Sequence, residues 1–65
     1  MKTFEKGLVG KQVQLYNIDE GKLRLVAQGK MVKLEQYLYV LQSDDRGRCG
    51  YLKHDVFMIR QAPST

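Results

Sequence analysis

The sequence predicts an all-β domain: a small five-stranded barrel behind a short N-terminal arm. Three observations carry that expectation. The dominant hydrophobic period is two, the signature of half-buried strands. The apolar runs are short and are separated by turn-forming stretches such as Asp19-Glu20-Gly21 and Ser43-Asp44-Asp45-Arg46-Gly47. And 65 residues hold one small domain at most, in which an open five-stranded sheet would expose edges that closure into a barrel removes.

Each element follows in order. In residues 1–10, Phe4, Leu8 and Val9 can share one side of a short helix, but Gly7 and Gly10 oppose a stable one. The segment therefore reads as an arm, or a single turn, that caps the barrel of residues 11–60. In the first strand, from Lys11 to Tyr16, Val13 and Leu15 point one way while Gln12, Gln14 and Tyr16 point the other. After the turn at Gly21, residues Leu23, Leu25 and Ala27 share a face. At Gly29 the phase slips and Val32 and Leu34 take over, which reads as a bulge or sharp bend within one long strand. Tyr37 to Leu41 is a compact β-prone run, Arg48 to Lys53 a fourth strand, and Val56 to Arg60 a fifth after a break at His54-Asp55. Leu15, Leu23, Leu25, Val32, Leu34, Leu38, Val40, Val56 and Ile59 are the expected core or interface residues, with Cys49 a small core or half-buried strand residue. Residues 61–65 form a short tail. The architecture expected is a small SH3-like or Sm-like barrel.

Composition narrows the function classes. The net charge of +4 tilts the expected partner toward a polyanion. The single cysteine excludes an internal disulfide, and Cys49 with His54 falls short of a four-ligand zinc site, so no metal or cofactor is expected. With no disulfide or metal to reinforce so small a core, oligomerisation is the remaining way to stabilise it. No run approaches the roughly 18 apolar residues of a membrane helix. No apolar stretch follows the basic residues of Met1 to Lys11, so no export signal is read there. A free thiol without such a signal points to a reducing, cytoplasmic setting and no membrane partner.

Catalytic chemistry is missing. Alternation puts Cys49 and His54 on opposite faces, which defeats a Cys–His dyad. Asp19-Glu20 and Asp44-Asp45 sit in turns, where Asp is favoured for backbone hydrogen bonding. Gly47 and Gly50 flank Arg48 and Cys49 without a phosphate-binding pattern. The chain is expected to bind something and not to be an enzyme.

Residues Lys53-His54-Asp55-Val56-Phe57-Met58-Ile59 resemble the signature of the bacterial Sm-like RNA chaperones of the Hfq kind: Lys-His, a spacer, a branched apolar residue, then a further apolar residue. Upstream, Glu35-Gln36-Tyr37-Leu38-Tyr39-Val40-Leu41 is similar to the acidic-Gln-aromatic opening of that family's third strand. Val13-Gln14-Leu15-Tyr16, with an Asn and then Gly21 after it, is similar to its first strand. Longer connections and a displaced second-strand glycine mark the chain as divergent, as would suit a phage- or plasmid-borne copy. The resemblance implies a homo-oligomeric ring of about five to seven subunits. In it, the fourth strand of one subunit pairs with the fifth strand of the next, and single-stranded RNA lies on the ring faces. It implies that Lys53 and His54 line the pore and that Gln36 and Tyr37 form the neighbouring base pocket. Tyr16 would stack bases on the opposite face, where Gly21 allows close approach.

The residues also admit plainer roles. Lys53-His54-Asp55 is equally a polar turn between strands, and Tyr37 and Tyr16 are equally outward strand tyrosines. Lys11, Lys22, Arg24, Lys30 and Lys33 are scattered as on a solvated face, and Arg46 and Arg48 suit a soluble loop. The competing function is a monomeric SH3-like module that uses Tyr37, Tyr39 and Tyr51 to bind an acidic protein, for example a phage or plasmid factor acting on a host protein. A third is a DNA-binding SH3-like domain of the kind found beside integrases.

Overall fold

The computed structural model describes residues 3–63. The alternation of Gln12 to Tyr16 becomes strand β1 (Gln12–Asp19), with Val13 and Leu15 fully buried and the glutamines and Tyr16 on the outer face. Glu20 and Gly21 both take positive φ, 54° and 76°, as the two-residue turn of a right-twisted hairpin requires. The chain returns as β2 (Lys22–Leu34), thirteen residues long.

A strand that long must bend to wrap a core. Against β1 the register shifts between Leu15 and Tyr16, leaving Val26 as an extra residue on β2. Against β3 (Leu38–Ser43) it shifts between Met31 and Lys33, leaving Val32 as another. Gly29 lies between these two bulges. A Cβ there would stand 2.7 Å from the carbonyl oxygen of Gln42 and 3.2 Å from its carbon, so only a residue without one lets β3 cross so closely. The single slip expected at Gly29 is thus a pair of bulges flanking a close backbone approach.

Strands β4 (Gly47–Leu52) and β5 (Met58–Gln61) follow, separated by a single 3-10 turn at Lys53–Asp55, where the sequence indicates a break. All pairings are antiparallel and the order is β4-β3-β2-β1-β5, an all-β, barrel-like sheet that curls but is not hydrogen-bonded shut. Strands β4 and β5 are its two edges. The helix α1 (Thr3–Lys6) and the turn after it form the cap. Leu8 enters the core, the Gly10 amide donates to the Met31 carbonyl (2.7 Å), and the Met31 amide donates to the Lys11 carbonyl (3.0 Å). The side chain of Phe4 and residues 64–65 of the tail lie outside the described part.

Val13, Leu15, Met31, Leu41, Tyr39 and Leu8 make the core, with Ala27, Leu34, Tyr51, Val56 and Ile59 packed against it. Two expectations are corrected. In β3 it is Tyr39 and Leu41 that point inward, while Leu38 and Val40 are only half-buried on the outer face. Leu23 and Leu25 stand about half exposed on the outer face, because they pair with Ile18 and Tyr16 beyond the bulge at Val26. Among the described residues no helix is long and apolar enough to cross a membrane.

Candidate functional site

The β3–β4 hairpin determines the geometry of the first cluster. Its register pairs Leu38 with Leu52, so the residues just before β3 meet those just after β4. There the Lys53 amide donates to the Tyr37 carbonyl at 2.9 Å, joining the Gln36-Tyr37 bend to the Lys53–Asp55 turn. Gln36 Nε2 donates to the Tyr37 hydroxyl at 3.0 Å, and the Tyr37 ring is two-thirds exposed. Lys53 Nζ sits 5.5 Å from the centroid of the Tyr39 ring, a cation–π distance, which directs the ammonium over the rim of the core. His54 is exposed, with Nε2 3.5 Å from the carboxylate of its neighbour Asp55. Gln36, Tyr37, Lys53 and His54 therefore occupy one end of the hairpin. An exposed ring, an ammonium, an imidazole and an amide together can stack on a planar group and donate to an acceptor.

Tyr39 has no place on this surface. It is 5 % exposed, and its hydroxyl donates to the buried Glu5 carboxylate at 2.7 Å. Burial, reinforced by that bond and by the negative charge of Glu5, pushes the hydroxyl well above the ordinary tyrosine range. The Tyr37, Tyr39 and Tyr51 ligand surface of the competing SH3-like reading is corrected accordingly: one member is in the core and Tyr51 is half-buried against it.

Tyr16 lies elsewhere, on the outer face of β1 between Leu25 and Met58. Its hydroxyl donates to Gln14 Oε1 (2.9 Å), and the guanidinium of Arg60 lies 5.5 Å from its ring centroid. Arg60 Nε donates to the same Gln14 oxygen at 2.9 Å, and Gln14 Nε2 donates to Gln28 Oε1 at 2.8 Å. Gly21 is at the tip of the hairpin, several residues from this network, and its positive φ is accounted for by the turn. Gln14, Gln28 and Arg60 escaped the sequence reading because the β1–β5 pairing joins residues 46 apart. Two open clefts, of about 480 and 450 Å³, flank β2 and share Val26 and Tyr51; neither is lined by any of the six residues singled out from sequence.

Compared with known proteins, the chain matches no family model, no curated protein and no solved structure.

Proposed function

We propose that the chain is a non-catalytic, single-stranded RNA-binding subunit of a homo-oligomeric Sm-like ring. The observation that carries this reading is the hydrogen-bonded junction of Gln36-Tyr37 with Lys53-His54 at the open end of the β3–β4 hairpin. The exposed Tyr37 ring offers a stacking platform, worth about 1–3 kcal/mol per base, beside cationic and imidazole donors suited to phosphate or base edges. Ring assembly is supported by the strand order, which leaves β4 and β5 as free edges of opposite ends of one sheet. Leu52 on β4 and Phe57 just before β5 stand 44 % and 65 % exposed at those edges, and pairing of copies would cover both. Riboregulation or RNA chaperoning in the cytoplasm is the role such an assembly would serve.

Native mass measurement of nuclease-treated protein at two concentrations tests the ring: a closed multiple of about five to seven subunits is expected, and a concentration-independent monomer would refute it. RNA titration at fixed salt tests the site. Lys53→Ala with His54→Ala should weaken binding at least several-fold and leave the oligomer mass unchanged, since both residues lie in the turn between β4 and β5 and outside the edge strands proposed to pair. Unchanged affinity would remove both residues from the site.

A further inference from the structure

We infer that Arg60, fixed over Tyr16 by Gln14, is an anion-contacting residue that grips a phosphate of single-stranded RNA on the outer sheet face, so that an arginine covers the Tyr16 ring in place of a stacked base. Hydrogen-bond direction fixes the orientation of each group in this network. A guanidinium can only donate. Because Arg60 Nε donates to Gln14, the amide of Gln14 must present its oxygen toward β5 and its nitrogen toward β2. Tyr16 spends its hydroxyl hydrogen on the same oxygen, and Gln28 must then accept from Gln14 through its own oxygen. The carbonyl oxygens of both glutamines are thereby engaged within the ladder. In that row the terminal guanidinium nitrogens of Arg60 have no hydrogen-bond partner among the described residues, while Gln28 keeps both its amide nitrogen and a second lone pair on Oε1.

The free terminal nitrogens of a fixed guanidinium, carrying a full positive charge, select an acceptor-rich anion. Among the described residues no carboxylate lies within ion-pair distance of Arg60, nor of Lys30 and Arg48 on the same face. The next row on the same face, Gln12–Lys30–Gln42–Arg48, contains amides and cations, and the carboxylates of Asp44 and Asp45 line the cleft beside Gln28 and Gln42, at the far end of the row from Arg60. The cation–π contact with Tyr16 and the bond to Gln14 hold the guanidinium before any ligand arrives, so less side-chain freedom remains to be lost on binding. The polymer named here rests on the RNA-binding reading; the anion chemistry of Arg60 does not.

The test has two arms. In the first, a labelled single-stranded RNA is titrated with wild type, Arg60→Gln and Arg60→Lys between about 50 and 200 mM salt. Arg60→Gln should weaken binding about three- to tenfold and reduce the slope of log K against log salt by about one, while Arg60→Lys keeps the slope. Unchanged affinity and slope in Arg60→Gln would overturn the assignment. In the second arm, inorganic tripolyphosphate is titrated into wild type while the Arg60 Nε–H and the Gln14 and Gln28 amide resonances are followed. Shifts at all three in wild type, with those of the Gln14 and Gln28 amides lost in Arg60→Gln, support the site, and silence at Arg60 in wild type overturns it. If wild type binds no RNA at all, the RNA-binding reading fails and the tripolyphosphate arm still decides the role of Arg60.

Discussion

Gly29→Ala is expected to cost about 2–3 kcal/mol of stability, a fall of roughly 10–20 °C in Tm for a domain of this size. The new methyl would stand 2.7 Å from the Gln42 carbonyl oxygen and 3.2 Å from its carbon. Those are backbone atoms of β3, paired on both sides with β2 and β4, so no flexible side chain can swing away to make room. The strain has to be relieved by separating β2 from β3 where the Met31 and Leu41 sides of the core meet. Gly50→Ala is the control. Its methyl would meet only the tips of Leu38, at 3.5 and 3.8 Å, an ordinary contact on the outer face, and the expected change is under about 1 kcal/mol. Thermal unfolding of the two variants beside wild type checks the contrast. Equal losses would mean that the β2–β3 approach tolerates a side chain and that Gly29 is present for another reason.

That glycine also shows how far the sequence can be read. A break in alternation at Gly29 was visible, but a bulge is a relation between two strands, and nothing in β2 alone says that the extra residues are Val26 and Val32. Read from sequence, the alternation of Leu23 and Leu25 runs unbroken into Ala27; the bulge at Val26 turns them to the other face. The inward face of β3 was illegible for a different reason. Tyr37 to Leu41 is apolar or aromatic at every position, so alternation carries no phase; in the fold Tyr39 and Leu41 face inward, and Tyr39 donates to a carboxylate 34 residues away. The candidate site divides in the same way. Gln36, Tyr37, Lys53 and His54 were singled out through a resemblance, and their meeting follows from a local hairpin register. From sequence Arg60 reads only as the end of a strand, because its partners Gln14 and Tyr16 belong to the opposite end of the barrel sequence.

Tyr39→Phe is expected to destabilise the fold by about 1–3 kcal/mol near neutral pH, because it strands the Glu5 carboxylate, which is 8 % exposed and accepts the Tyr39 hydroxyl at 2.7 Å. Glu5→Gln should cost less, since a neutral amide oxygen accepts the same O–H and no charge stays buried. The bond has a pH signature whose sign is fixed. In the folded protein the Tyr39 hydroxyl holds its proton well above the ordinary value of 10.0, chiefly through burial and then through Glu5. The native state therefore binds this proton more tightly than the unfolded chain does. Its contribution is complete below pH 10 or so and is lost as the pH climbs beyond it, by up to about 1.4 kcal/mol per pH unit. Tyr39→Phe has no such proton to lose. Urea unfolding at about pH 8 and pH 11 should therefore show the gap between wild type and Tyr39→Phe closing as the solution becomes alkaline. A gap that stays constant would mean the hydroxyl is not buried against Glu5. The phenyl ring that remains still lies under Lys53, whose Nζ is 5.5 Å from the tyrosine ring centroid in wild type. The variant thus loosens the arm and keeps the ammonium in place. RNA affinity measured well below its unfolding transition should match wild type, which separates the interaction that holds the cap from the surface proposed to bind the ligand.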